Sequence, residues 1–173
     1  MYLISLYFDE KIEKTIQQLI DKVAEKSGNK YMIEGRVPPH ITISAFETEE
    51  ESKVINVIDK VMREIKRGTL NWVSIGVFKK QVIFLMPVLN EYLHNLSFLI
   101  NDSLLSVSDI TFNKFYMPMQ WVPHTTIGKK LSEEEMIIAF KTLQNNFKMF
   151  SGQVTKIGLA KTNPYEEIKV WIL

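Results

Sequence analysis

The chain has no cysteine in its 173 residues. Disulfides, thiolate metal sites and a cysteine nucleophile are thereby excluded. Histidine is almost as scarce, with only His40, His94 and His124 present. No His-Glu-x-x-His or comparable ligand spacing occurs, so a dedicated zinc site has no support. Seven glycines are too scattered to build a phosphate-cradling loop of either common type. No ATP, dinucleotide or other cofactor is expected. An excess of charge of one sign is also missing: 21 Lys and Arg stand against 20 Asp and Glu. That balance lacks the basic field needed to grip long nucleic acid, although a few local cations suffice for a small nucleotide or an RNA end. No apolar run approaches bilayer length, and the start lacks the pattern of a secretory signal. The expectation is a cytoplasmic protein with no membrane contact and no evident protein partner.

What is present reads as one globular domain, with 46% hydrophobic and 24% charged residues. Tyr2 to Phe8 reads as a strand. Asp9 is placed to cap a helix through Ile12, Ile16, Leu19, Ile20 and Val23, ending at Gly28. A loop over 29–39 leads to a strand over His40 to Phe46. Thr48 and Glu51 form an expected capping box before a helix with Val54, Ile58, Val61 and Ile65 on one face. Leu70 to Phe78 and Gln81 to Met86 read as a hairpin turning at Lys79-Lys80. The order then returns: a helix from Asn90 to about Ser106, an irregular stretch, a strand over Trp121 to Gly128, and a helix capped by Ser132 and Glu135. That helix is expected to run through Met136, Phe140, Leu143 and Phe147. Val154 to Ala160 and Glu167 to Leu173 close the chain as a hairpin. The repeat is one of arrangement more than of sequence. It predicts two pseudo-symmetric lobes within a single domain spanning 1–173.

The two expected strands after the loops share one pattern. Pro39-His40-Ile41-Thr42-Ile43 is followed, 84 residues on, by Pro123-His124-Thr125-Thr126-Ile127. Side chains alternate along a strand, so each copy sets an imidazole and a hydroxyl on one face. A single His-x-Thr is well explained as a half-buried strand bonded to its neighbours. Two copies, using two of three histidines at matching places, point instead to shared chemistry. Histidine gives or takes a proton near its ordinary pKa of about 6.5. One imidazole could deprotonate an attacking water while the other protonates a departing ribose oxygen. Thr42 and Thr126 could donate to the non-bridging oxygens of a phosphate.

Pro38-Pro39-His40-Ile41-Thr42-Ile43-Ser44 and Val122-Pro123-His124-Thr125-Thr126-Ile127-Gly128 resemble the paired signatures of the two-histidine (2H) phosphoesterase superfamily. That group includes bacterial 2′-5′ RNA ligase-like proteins and cyclic nucleotide phosphodiesterases. The resemblance covers nearly the whole chain, including a last hairpin that contains Tyr165. It implies a bilobal, duplicated α+β fold with two antiparallel sheets lining a central cleft and helices packed outside. It also implies catalysis without a metal or ATP on 2′,3′-cyclic phosphates, ADP-ribose cyclic phosphate or 2′-5′-linked RNA. His40, Thr42, His124 and Thr126 match the family's four catalytic positions. Thr125 stands where a hydrophobic residue is usual and is expected to face away from the cleft.

Further candidates are weaker. Counting by twos from His40 puts Ser44 and Phe46 on the catalytic face, and continuing past Gly128 puts Lys130 there too. Phe115, Tyr116, Trp121 and Tyr165 could stack on a base, with a core or lid role as the alternative. His94 reads as a surface residue. The leading expectation is a metal-independent phosphodiesterase acting on a nucleotide or RNA-end substrate. The alternative is a non-catalytic nucleotide- or RNA-binding module using the same pocket.

Overall fold

The computed structural model describes residues 1–79 and 81–173. Helix ends follow the capping chemistry at three of four long helices. In α1 (Glu10–Ser27) the Asp9 side chain accepts from the Ile12 amide at 3.1 Å, and Gly28 leaves the helix with a left-handed φ of 77°. α4 (Glu91–Leu104) starts at Asn90, whose side chain accepts from the Leu93 amide at 3.0 Å. α5 (Glu133–Asn146) carries the expected reciprocal box between Ser132 and Glu135. The exception is α3 (Glu51–Val61), which begins after Glu50 without a side-chain cap. Thr48 instead gives its hydroxyl to Asp109, 61 residues away. The same oxygen accepts from the Glu50 amide at 3.0 Å, two residues on, so it makes a tight turn ahead of α3 instead of a cap. The loop before the first motif holds one short helix, α2 (Tyr31–Glu34).

Eight strands form an antiparallel network among the described residues. They are β1 (Tyr2–Phe8), β2 (Ile41–Glu47), β3 (Gly68–Phe78), β4 (Val82–Pro87), β5 (Thr111–Phe112), β6 (Thr125–Lys129), β7 (Phe150–Lys161) and β8 (Glu166–Ile172). The hairpin of β3 and β4 is present; the turn expected at Lys79-Lys80 includes residue 80, which lies outside the described residues. The strand order is β5-β2-β1-β7-β3-β4-β6, with β8 also on β7. The two sheets expected from the resemblance are thus hydrogen-bonded into one ladder. The long strand β7 joins them, pairing β3 through Phe150 to Val154 and β1 through Val154 to Lys161.

The two halves of the chain exchange strands. β1 pairs β2 from its own half and β7 from the other; β4 pairs β3 from its own half and β6 from the other. Helices follow the exchange, with α1 and α5 packing together near β6 and β4, and α4 packing with α3 against β2. The apolar stripe of α1 is as expected: Ile12, Ile16, Leu19, Ile20 and Val23 are buried. In α5 the inward residues are Ala139, Thr142 and Leu143, while Phe140 is exposed. A three-residue ladder of rings anchors the middle: Trp72 takes the edge of Phe8 at 4.9 Å and stacks on Phe150 at 5.0 Å. No described helix is long and apolar enough to cross a membrane.

Candidate functional site

Both motifs enter their strands in the same way. His40 donates its Nδ1 proton to the Pro38 carbonyl at 2.8 Å, and His124 donates to the Val122 carbonyl at the same 2.8 Å. Each accepting carbonyl belongs to a residue followed by proline, which favours extended backbone there. A carbonyl only accepts, so in the neutral imidazole the proton sits on Nδ1 and Nε2 keeps its lone pair. Both rings are half-buried.

Burial holds His40 below the ordinary imidazole range, against the pull of the Pro38 carbonyl; the charges of His124 and Lys129 press it further down. Burial likewise lowers His124, against its Val122 bond. The two motifs therefore lie within electrostatic reach of each other. A 3₁₀ turn over Lys114–Tyr116 adds a second link. It follows Asn113, whose amide donates to the carbonyl of Ala45 within β2, and it carries the Tyr116 ring to 6.5 Å from His124.

Each motif strand bulges at the same place. In β2, Thr42 faces Ser5 and Ser44 faces Ile4, leaving Ile43 unpaired. In β6, Thr126 faces Phe84 and Gly128 faces Ile83, leaving Ile127 unpaired. An extra residue reverses the alternation beyond it. Thr42 is therefore on the side of Ser5 and Tyr7, with its Oγ1 3.3 Å from the Ser5 Oγ. Ser44 and Phe46 turn to the opposite side. Ser44 is fully buried and donates to Asn101 Oδ1 at 2.9 Å, and Phe46 stacks on Tyr2 at 5.7 Å. The expectation that these two line the site is corrected on that ground. The bulge in β6 has the same effect on the lysines. Lys129, opposite Val82, shares the Phe84 and Thr126 side, whereas Lys130 is in the turn with a φ of 57°. The Lys129 ammonium lies 5.9 Å from the centre of the Tyr31 ring, and that of Lys130 lies 4.7 Å from it.

Aromatic rings flank the imidazoles. Tyr7 lies 6.3 Å from His40, and Phe78 and Phe84 lie 4.8 and 5.2 Å from His124. Tyr165 reaches this group through its hydroxyl, 3.2 Å from that of Tyr7. Burial, then the bond to Tyr165, pushes the Tyr7 phenol well up, so it remains a proton donor at neutral pH. Burial alone raises Tyr116. Glycine makes room for one ring on each side. A Cβ on Gly158 would stand 2.5 Å from the Tyr7 ring, and one on Gly76 would stand 2.4 Å from the Phe84 ring. The pairing of an Ile-Gly step in each of these strands (Ile75-Gly76 and Ile157-Gly158) is the signal that could have revealed Tyr7 and Phe84. Gly158→Ala is expected to displace Tyr7 and lower kcat by about 10–100-fold, the scale of a misplacement near 1 Å. Steady-state kinetics beside a thermal melt separates this from unfolding.

Other groups stay outside. Thr125 is fully buried, and its hydroxyl accepts from the Trp72 indole at 3.1 Å, which explains a polar residue at that position. His94 sits on α4 against Phe98, with ring centres 4.9 Å apart. Trp121 is buried and Phe115 is exposed. A surface groove lined by Lys22, Lys26, Ile138 and Lys141 includes no residue of either motif. Among the described residues, no cluster of three or more His, Cys, Asp or Glu side chains is arranged to hold a metal ion.

Comparison with known proteins adds an independent line. The family model described as the 2′-5′ RNA ligase superfamily matches residues 8–166. Searching curated protein sequences gives no match. Among solved structures, Escherichia coli LigT complexed with 3′-AMP is similar with a TM-score of 0.64 at 17% identity, covering 99% of this chain and 97% of that one. A structure described as a phosphoesterase gives 0.64 at 15% identity, again over 99% and 97%. Kluyveromyces marxianus Usb1 gives 0.53 at 14% identity over the same shares. At these identities the structural likeness speaks for the fold.

Proposed function

Because the chain belongs to the 2′-5′ RNA ligase superfamily, we propose that it is a phosphodiesterase that opens cyclic phosphates on nucleotides or RNA ends through His40 and His124. The family supports phosphodiesterase or RNA ligase-like activity in general. The finer reading rests on one arrangement: two imidazoles in motifs linked through the 113–116 turn, each with Nδ1 tied to the backbone and Nε2 left for proton exchange. In this reading two pseudo-symmetric lobes each contribute one His-x-Thr.

The chemistry is an in-line displacement. One Nε2 takes a proton from water as its oxygen attacks phosphorus, and the other imidazolium gives its proton to the ribose oxygen as the P–O bond breaks. The product is a phosphomonoester, and one water is consumed. Thr42 and Thr126 donate to the non-bridging oxygens. When Ser5 donates to Thr42, the Thr42 proton is free for the phosphate. Lys129 supplies a positive charge on the same strand side. With a ribose hydroxyl of a second strand in place of water, the same residues would join or cleave 2′-5′ linkages. Tyr165, through Tyr7, contacts the substrate side of His40. The ligand of the LigT complex, 3′-AMP, belongs to the ligand class this reading assigns to the chain.

A panel of 2′,3′-cyclic nucleotides, ADP-ribose cyclic phosphate and 2′-5′ dinucleotides, run with and without EDTA, tests this. Turnover of at least one class, unaffected by chelation, is expected. Tight binding of 3′-AMP with no turnover across the panel would select the binding module instead.

A pH prediction follows from the lowered imidazoles. The bell of kcat/KM is expected on the acid side of about 6.5, because it reports the free enzyme. A bound phosphate anion favours both imidazolium forms, so the kcat profile should lie at higher pH. For stability the sign is the reverse of a gained partner. The native state holds these imidazoles neutral, so stability is full above about 6.5 and declines as pH falls through that value. Melting temperatures measured from pH 5 to 8 check this.

A further inference from the structure

We infer that Asn101, on the far side of the sheet from the imidazoles, is a positioning residue that fixes the His40–Thr42 strand by holding its bulge. The inference rests on the functional reading above for the role of that strand.

Asn101 lies in the last part of α4 and is 3% exposed. An asparagine buried mid-helix is costly unless its amide is paired, and here both ends are. Its Nδ2 donates to the Ile43 carbonyl at 3.2 Å and to the Ser97 carbonyl at 2.8 Å; its Oδ1 accepts from Ser44 at 2.9 Å. Ile43 is the unpaired bulge residue, and Ser44 is the first residue beyond it with reversed orientation. The clamp thus grips both residues that follow Thr42. Without it, the bulge carbonyl and the Ser44 hydroxyl would be buried without partners. Regular pairing would then compete, and a slip by one residue turns side chains to the opposite face. Asn101 therefore selects the register in which Thr42 meets Ser5.

Among the described residues the second motif has no such clamp. All the buried residues of α1, which packs near β6, are apolar, and Gly128 stands where Ser44 stands in the first. That strand is tied instead by Trp72 to Thr125. The asymmetry makes Asn101 specific to the His40 side and separates its role from general core packing.

The test compares Asn101→Leu with Ile100→Ala, a core substitution one residue earlier on the same helix. Both are assayed on whichever cyclic phosphate the wild type turns over, well below their melting temperatures. Asn101→Leu is expected to lower kcat by about 10–100-fold with KM changed less than threefold, and to shift the acid limb of the kcat/KM profile. Ile100→Ala should lose comparable thermal stability and keep kcat and the acid limb. Asn101→Leu with wild-type kcat and an unmoved acid limb would overturn the inference, as would equal kcat losses in the two variants. A wild type inactive on every substrate overturns the functional reading, and the inference with it.

Discussion

Alanine at either His40 or His124 is expected to reduce kcat by about 10²–10⁴-fold, the usual worth of a positioned acid or base. The fold should survive. Among the described residues each ring makes a single hydrogen bond, to the carbonyl two residues before it, so the net stability lost is about 0.5–1.5 kcal/mol. Circular dichroism and a melt check that claim, and steady-state kinetics checks the first. A second readout needs no substrate. The His124 charge lowers His40, so His124→Ala should raise the His40 titration midpoint in an NMR pH series. Burial remains the larger cause, and the midpoint should stay below the ordinary value. An unmoved His40 midpoint would mean that the two imidazoles are not neighbours, and the two-histidine mechanism would fall whatever the kinetics.

Trp72→Ala is expected to be the most destabilising single change, about 3–5 kcal/mol for a fully buried indole. In a chain of this size that is a fall in Tm of about 6–20 °C. The indole joins Phe8 to Phe150 and donates to Thr125, the residue between His124 and Thr126. Loss of the donor can be isolated from loss of volume. Trp72→Phe leaves the Thr125 hydroxyl buried and unpaired, costing about 1–3 kcal/mol. Adding Thr125→Val removes the orphan, so the double variant should regain part of that loss. Chemical denaturation of the four proteins gives the coupling energy, expected at about 0.5–3 kcal/mol. A coupling of zero would mean that the indole does not hold the second motif strand.

Local chemistry was readable in the sequence. Asp9 and Ser132 cap their helices because each side chain has its partner within three residues. Thr48 looked equivalent, but its oxygen accepts from the nearer Glu50 amide and its proton goes to Asp109, which no local window contains. One step of alternation separates each histidine from its threonine, so no bulge intervenes in that count. Two steps further the count failed, since nothing in Ile43 or Ile127 marks a bulge. Ser44, Phe46 and Lys130 were misplaced for this one reason, and Lys129 gained the face that Lys130 lost. Tyr7 was hidden differently. It sits on β1, 33 residues before His40, and meets it only through the pairing of β1 with β2.

The exchange of strands bears on how the polypeptide can be made. β1 gets its second neighbour from β7, whose pairing begins at Val154. An early strand thus waits for a partner synthesised long after it. Contacts of such long separation slow folding and leave an apolar edge uncovered in the meantime. A nascent chain arrested before residue 150 should accordingly remain protease-sensitive and bind chaperones, and neither half expressed alone should fold.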